Sequence, residues 1–218
     1  DPREVKLYYY PSHKLKSEDL LEILSLKEPL LNLSEVNNIN FSGICFKNTD
    51  DIGVKINKCN NVNFDKCTIS NTKEYGIHAL SYTNSTIKNC DLYNIGDAGI
   101  YIEESGDKLT LTSGNVIIHN NHLWHVSTGS SGGWNGGIRL GAKCIGAKVT
   151  NNLIHDSIAN PLTYEGNDNY MGYNEIYNTL RRTADAGAIY TGRNFTLYGN
   201  YVEYNYLHDN TNPNASNY

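Results

Sequence analysis

A period of 23 residues constrains the fold of this chain more than any other feature of its sequence. Short segments in which apolar and polar residues alternate, such as Gly99-Ile100-Tyr101-Ile102, return at this interval and later at longer ones. Seven copies begin at Leu30, Gly53, Gly76, Gly99, Gly137, Pro161 and Gly187. Alternation over a few residues is typical of a β-strand, and a fixed period of about 20 to 50 residues is typical of a solenoid.

Each copy is followed by two more short strand patterns. The second strands are predicted at 39–41, 62–64, 85–87, 116–118, 147–149, 169–171 and 195–197. The third strands begin five residues after the second ones, at Ile44, Cys67, Cys90, Asn121, Asn152, Asn174 and Asn200. Three strands per turn predict an all-β fold, a right-handed parallel β-helix that forms a single-chain solenoid of about seven coils. The strict period argues against a propeller or a β-sandwich, whose repeats and strands are longer.

Stacked coils also account for polar and thiol residues that recur in phase. Asn38, Asn61 and Asn84 follow one another at 23 residues, so their side-chain amides should form a ladder along the solenoid. Cys67 and Cys90 share a phase as well, and we interpret them as a buried apolar pair and not as a disulfide. The five cysteines include no C-x-x-C motif, so the sequence indicates neither a metal site nor a cofactor.

The charge balance and the hydropathy limit the possible partners. Eighteen Lys and Arg residues stand against 23 Asp and Glu, for a net charge of -5, which argues against a nucleic-acid partner. No apolar run approaches the roughly 20 residues that span a bilayer, so we expect no membrane partner. A polysaccharide or oligosaccharide fits this composition, and an extracellular or cell-surface location follows from that class of function alone. The sequence leaves the oligomeric state open.

We expect a single domain over residues 1–218. Its parts are an irregular start at 1–29, coils at 30–209 and a polar tail at 210–218. Residues 17–26 are compatible with either a short helix or an irregular lead into the first coil. Residues 205–209 are expected to begin a coil that this chain does not complete, which suggests a piece of a longer protein.

Insertions mark one face of the predicted solenoid. Residues 103–114, 127–136 and 178–186 all flank first strands, whereas the second-to-third corner never changes in length. Loops on a rigid scaffold commonly carry function, so the first-strand face from coil four to coil seven is the predicted carbohydrate cleft. Its expected lining is Tyr101, Arg139, Glu165, Tyr190 and Arg193, with Trp134 as a wall.

Carboxylates are concentrated at both ends of these first strands. Glu103 and Glu165 are placed just past the strand ends, two coils and therefore about 10 Å apart, a distance from which two acids can flank a glycosidic bond. Asp97 and Asp185 precede their strands in the same Asp-Ala-Gly tripeptide, and His155 is expected near Asp185. A purely structural role stays open for each of them, since an Asp before Gly often only stabilises a turn.

The segment 185–193, DAGAIYTGR, together with 152–156, NLIHD, resembles β-helix enzymes of glycoside hydrolase family 141, which include fucosidases and xylanases. The resemblance covers nearly the whole chain, although much of it is coil pattern. It implies that Asp185 is the leading catalytic carboxylate, and it leaves the identity of the second one open.

Three function classes follow from these observations. The leading hypothesis is a glycoside hydrolase whose catalytic residues are drawn from Asp185, Glu165 and Glu103. Tyr101, Trp134, Arg139, Tyr190, Arg193 and His155 would bind the substrate. The alternatives are a polysaccharide lyase or epimerase acting on uronates, with Arg139, Arg193 and Tyr190 as candidate groups, and a glycan-binding adhesin or phage tail component without activity.

Overall fold

The fold is known from a computed structural model that describes residues 14, 16–18, 24–129, 136–181, 186–192 and 194–210. Within these residues the chain forms β-strands and turns, and seven successive coils are stacked along one axis. The parallel solenoid predicted from the 23-residue period is therefore confirmed. Most of the segment 17–26, for which a helix was one alternative, lies outside the described residues, as does the tail from 211 onward.

The strands of the described residues are short, and most correspond to one side of a coil. In chain order they are β1 (Leu31–Ser34), β2 (Asn37–Ser42), β3 (Cys45–Thr49), β4 (Val54–Asp65), β5 (Thr68–Thr72), β6 (Ile77–Thr83), β7 (Thr86–Lys88), β8 (Asp91–Ile95), β9 (Ile100–Asp107), β10 (Thr112–Ser113), β11 (Ile117–His119), β12 (His122–Val126), β13 (Ile138–Cys144), β14 (Lys148–Thr150), β15 (Leu153–His155), β16 (Leu162–Tyr164), β17 (Tyr170–Gly172), β18 (Glu175–Tyr177), β19 (Ile189–Tyr190), β20 (Tyr201–Glu203) and β21 (Tyr206–His208).

Hydrogen bonding joins these strands into two sheets. The third strands form a seven-stranded sheet in the order β21-β18-β15-β12-β8-β5-β3. The first and second strands belong to one 14-stranded sheet, because β4 contains both strands of coil two without a break. Strands of neighbouring coils pair in parallel, with Ile77 opposite Ile100 and Ile100 opposite Ile138.

The corner between the second and third strands has the same conformation in every coil. One residue there adopts a left-handed backbone, namely Gly43, Lys66, Asn89, Asn120, Asn151, Tyr173 or Tyr204, with φ between 54° and 66°. From coil two to coil six, the residue that follows it, such as Cys90 after Asn89, is buried. Because a single left-handed residue makes the turn, the corner has no room for insertions, and this explains its constant length.

A continuous core fills the coils. It is built from inward-facing Ile, Val, Leu and Phe side chains, and Ile100, Ile102 and Ile138 are completely buried. Cys67 and Cys90 are buried free thiols, as predicted, and Cys59 and Cys144 are buried as well. Cys45, on the third strand of coil one, is a free thiol that is exposed.

Asparagine ladders run along the outside of the solenoid. The Asn61 Nδ2 donates to the Asn38 Oδ1 at 2.8 Å, which confirms the first step of the predicted ladder. The next hydrogen bond of this kind joins Asn115 Nδ2 to Asn84 Oδ1 at 2.9 Å. All four residues have a left-handed backbone, a conformation that asparagine adopts more readily than most residues.

A second asparagine column, which the sequence analysis did not anticipate as a ladder, lies inside the solenoid at the start of the third strands. It consists of Asn121, Asn152, Asn174 and Asn205. Each Oδ1 accepts the backbone N–H of the residue one coil earlier at 3.0 Å, and the Asn152 Nδ2 donates to the Ile118 carbonyl at 3.1 Å. The amides therefore satisfy backbone groups that the turn removes from the sheet.

The seventh coil corrects the predicted register. The segment 195–197 is not its second strand; β20 pairs with β17 through Tyr201 opposite Tyr170. Its third strand is β21, so residues 205–209 complete coil seven and do not begin another. In the first strand of coil seven, Ile189 lies opposite Leu162. The alignment of Gly187 with Pro161 had placed Ala188 opposite Leu162, so the observed register is one residue later. The long connection between β19 and β20 is the reason that spacing alone failed here.

Candidate functional site

The outward-facing side chains of the first strands form one column across the coils. In register from coil two to coil seven they are Lys55, His78, Tyr101, Arg139, Thr163 and Tyr190. Both chain neighbours of Lys55, His78, Tyr101 and Arg139 are buried, so alternation along the strands places this column on the outer face. Thr163 is nevertheless only 1% exposed, and the face is therefore closed over at coil six.

Tyr101 is at the centre of a compact polar cluster on this face. The His78 ring stacks on it with centroids 5.0 Å apart, and the guanidinium carbon of Arg139 lies 4.6 Å from its centroid. Tyr75 approaches it at 5.6 Å. Since the neighbouring coils cover both faces of the ring, Tyr101 presents its edge and its hydroxyl to a ligand. We expected it to bind substrate, and this arrangement favours hydrogen bonding over stacking on a sugar.

Glu103 and Glu165 lie near Tyr101, since both carboxylates contribute to the rise in its pKa, after burial of the ring and against the opposing charge of Arg139. Glu103 was expected just past a strand end. It lies inside β9, because that strand continues to Asp107 and turns back as β10.

The two glutamates differ in their contacts. The Glu103 Oε2 contacts the His78 Nε2 at 2.9 Å. Glu165 follows β16, where its backbone N–H donates to the Leu140 carbonyl at 2.9 Å. Its carboxylate has no hydrogen-bond partner among the residues that the structure describes.

Asp97 is a carboxyl that the sequence analysis undervalued. Its Oδ1 is buried and has no hydrogen-bond partner within the described part of the chain, and Tyr75 and the Ala98 backbone lie close to the carboxyl group. Burial raises the pKa of Asp97, with a further rise from Glu74, while Arg139 opposes it. The sequence does offer one signal for Asp97, the Asp-Ala-Gly tripeptide that it shares with Asp185. An aspartate that only stabilises a turn would give the same pattern.

Tyr75, which lies just before the first strand of coil three, was not among the site residues predicted from the sequence. Its ring lies 4.8 Å from that of His78. Burial, followed by the negative charge of Asp97, raises the pKa of its hydroxyl to about 12. The hydroxyl therefore keeps its proton at neutral pH and can donate it in a hydrogen bond. No motif marked this residue, because it belongs to a corner and not to a strand.

Several expected site residues are not in this cluster. Asp185, Trp134 and Arg193 lie outside the described residues, so their roles stay predictions. Tyr190 ends the outward column at coil seven and is half-buried. His155 was expected beside the first-strand cleft, but it lies on β15 in the other sheet, where its ring stacks on Tyr177. His155 belongs to a third strand, and the third strands face a different direction from the first strands.

Among the described residues, no group of three or more His, Cys, Asp or Glu side chains is arranged to hold a metal ion. None of the described residues belongs to a helix long and apolar enough to cross a membrane.

The molecule is thus a parallel β-helix with a carboxylate-bearing polar cluster on its first-strand face. A family model, the right handed beta helix region, matches residues 22–169, which is more than half of the chain. The chain belongs to this right-handed β-helix family. Domains of the family are often found in polysaccharide-active enzymes. No curated protein and no solved structure matches the chain.

Proposed function

We propose that this chain is carbohydrate-active and that its first-strand face hydrolyses a glycosidic bond. Glycoside hydrolysis requires one carboxyl group that holds a proton and a second that is ionised. The carboxyl groups along this face occupy different environments, and such differences separate the pKa values of two acids. The family of the chain, with its polysaccharide-active members, supports the same class of substrate.

The observation that carries this proposal is the environment of Asp97. Its carboxyl retains a proton to higher pH than an ordinary aspartate, because burial disfavours the charged form. It adjoins Tyr75 and lies within electrostatic range of Arg139. A carboxyl with a raised pKa beside a polar face suits a general acid, and we assign Asp97 that role.

The ionised carboxylate would be Glu74, which has the phase of Asp97 one coil earlier, where its carbonyl accepts the Asp97 N–H at 3.1 Å. One strand spacing, about 4.8 Å, suits two acids that flank a glycosidic bond, whereas Glu165 lies at the opposite end of the first strands. Glu103 contacts His78 and would hold that ring in place against Tyr101. The resemblance to family 141 keeps Asp185 as a second candidate for the ionised group. Tyr101 and Arg139 would bind sugar hydroxyls, because their hydrogen-bonding groups point out from the same face.

The test measures the release of reducing ends by the full-length protein from a panel of neutral polysaccharides and oligosaccharides. Asp97→Asn and Glu74→Gln should each lower turnover by about 10²- to 10⁴-fold, the usual contribution of a general acid or base. Asp51→Asn is the matched control, because Asp51 has the same phase two coils before Asp97 and its Oδ1 accepts the Ile52 N–H at 2.7 Å. Wild-type turnover in both Asp97→Asn and Glu74→Gln would refute this site.

A second function is favoured by one specific contact, that of Arg139 with Tyr101 beside His78. A lyase acting on uronates needs a cation to neutralise the sugar carboxylate and a base to remove the neighbouring proton. Arg139 and His78 would serve in these roles. An unsaturated product that absorbs in the ultraviolet, formed from pectin or alginate and lost in His78→Ala but retained in Asp97→Asn, would favour the lyase over the hydrolase.

A further inference from the structure

A ladder of stacked rings covers the outer face of the seven-stranded sheet, away from the first-strand face. It consists of Tyr93, Trp124, His155, Tyr177 and His208, which lie in register on successive coils. Successive centroids are 4.4, 6.3, 4.8 and 5.0 Å apart, with interplanar angles of 17° or less. Because each ring covers the face of the next, the ladder holds its side chains in fixed orientations and offers a ligand only their edges.

One further histidine lies against this ladder. His122 precedes Trp124 by two residues on β12, and the two rings are 4.3 Å apart. Its Nε2 lies 2.8 Å from the Nε2 of His155 on the next coil. The two imidazole rings therefore point their Nε2 atoms toward each other. One of these nitrogens must carry a hydrogen in the ligand-free protein, since the other accepts it.

The opposite nitrogens of the two rings face carboxylates. The His155 Nδ1 is 2.7 Å from the Asp156 Oδ2, and the His122 Nδ1 is 3.7 Å from the Asp91 Oδ1. Asp156 is held in turn by a hydrogen bond from the Asn178 amide to its other oxygen. Histidines that bind metals almost always donate their second N–H to a carboxylate or a carbonyl, which fixes the tautomer and makes the ligand nitrogen more basic.

We propose that His122 and His155 bind a divalent transition-metal ion between their Nε2 atoms. Asp156 would hold the Nδ1 hydrogen of His155, and Asp91 that of His122. The described residues contribute no third protein ligand here, so water completes the coordination. Imidazole nitrogen suits Cu²⁺, Ni²⁺ and Zn²⁺, and the general order of stability makes Cu²⁺ the tightest of the three.

The geometry requires little rearrangement. Two ligand nitrogens about 2.05 Å from a tetrahedral ion are about 3.3 Å apart, so the rings need to separate by only about 0.5 Å. The side chain of His155 is 14% exposed and that of His122 is 39% exposed, which leaves one side of the pair open to an ion and its waters.

Metal binding requires neutral imidazole rings whose ligand nitrogens carry no hydrogen. Burial, followed by the proximity of His155, lowers the pKa of His122 and so favours the neutral form of that ring. When the ion binds, the hydrogen shared between the Nε2 atoms leaves, and His122 becomes protonated at Nδ1, facing Asp91. The neutral pair therefore needs only a change of tautomer. Acid protonates the rings and should release the metal.

The experiment is a titration with Cu²⁺ that follows the fluorescence of Trp124, together with electron paramagnetic resonance of the bound ion. The exposed thiol of Cys45 would compete for copper, and Trp134 would contribute a second emission, so the parent protein carries Cys45→Ser and Trp134→Phe. We expect one ion per chain, strong quenching, and a spectrum with two equivalent imidazole nitrogens.

Variants of this parent test the ligand assignment. His122→Ala and His155→Ala should each abolish the two-nitrogen spectrum, and Asp156→Asn should weaken binding by about tenfold, as loss of a supporting carboxylate commonly does. His119→Ala is the control, because His119 lies in the other sheet and bonds to Thr150. Equal Cu²⁺ affinity in the parent, His122→Ala and His155→Ala would overturn the proposal, and so would a spectrum with a single imidazole. Neither result would bear on the first-strand face.

Discussion

At the scale of single residues, the interior asparagines are the polar side chains whose loss should destabilise the fold most. Asn152 is 1% exposed, and it completes hydrogen bonds for the backbone N–H of Asn121 and the carbonyl of Ile118. Ion pairs such as Lys58 with Glu35 lie on the surface, where water screens them, and pairs of that kind contribute little.

Replacing Asn152 with Ala should therefore lower the free energy of unfolding by about 2 to 4 kcal/mol, since two buried backbone groups lose their partners. Asn61→Gly, in the exposed outer ladder, should cost less than about 1 kcal/mol, because glycine adopts the left-handed backbone without strain and water replaces the lost amide. Urea unfolding followed by circular dichroism compares the two. Equal losses would mean that the interior amide is not what satisfies the corner.

Residue-level chemistry was only partly readable from the sequence. Alternation placed Tyr101 and Arg139 on the outer face, and the structure confirms this placement. The pattern gave no information on whether a ring face would be open, because that depends on which side chain the next coil places opposite it. Asp97 was undervalued for a similar reason, since a turn aspartate and a buried carboxyl look identical in sequence.

At the scale of strands and corners, close backbone contact between coils decides which substitutions the solenoid tolerates. Gly96 follows β8, and its backbone N–H donates to the Thr72 carbonyl one coil earlier at 2.9 Å. A Cβ atom at this position would lie 2.0 Å from the Lys73 carbonyl oxygen, which is backbone and cannot rotate away. Gly129 lies against Gly96 on the next coil, where its backbone N–H donates to the Gly96 carbonyl at 2.9 Å, and the atom nearest to an added Cβ would be 3.4 Å away.

Gly96→Ala should consequently destabilise the protein by about 1 to 3 kcal/mol, the usual range for overpacking. Gly129→Ala should change stability by less than about 0.5 kcal/mol, because the added methyl group makes ordinary contacts. Thermal unfolding of the two variants measures the difference. A Gly96→Ala protein as stable as the parent would show that the corner can shift.

The strands themselves were the most predictable elements. Six coils have the order that the period predicted, because their inward residues repeat at nearly constant spacing. The seventh failed in its second strand, where 195–197 has a strand-like composition but Phe195 is fully exposed. The position of β20 is fixed by the Asn200 Oδ1, which accepts the Asn169 N–H at 3.0 Å. Such a contact across coils has no counterpart in local composition.

At the scale of the whole molecule, a solenoid packs each coil only against its neighbours, so the stability effects of distant core positions should be independent. Ile56 on coil two and Ile138 on coil five are three strand spacings, about 14 Å, apart. Ile100 and Ile138 are directly opposite on adjacent coils. The distant pair and the adjacent pair both contain Ile138, so each serves as the control for the other.

The double variant of Ile56→Val and Ile138→Val should lose the sum of the two single losses to within about 0.5 kcal/mol. Ile100→Val with Ile138→Val should deviate from additivity by about 0.5 kcal/mol or more, because both methyl groups leave one shared space. Each single change should cost about 0.5 to 1.5 kcal/mol. Chemical unfolding of all five variants gives the comparison, and strong coupling between the distant pair would argue against nearest-neighbour packing.

The left-handed corner between the second and third strands has a consequence for how such a chain can change its length. Since that turn is the same in every coil, a segment copied from one corner to the next carries matching ends, and its insertion would advance all later coils by one strand spacing, about 4.8 Å. Duplication of whole coils would thus extend the molecule without disturbing its register. Insertion of a few residues at this corner would instead rotate every side chain that follows, so growth at this edge proceeds in complete turns.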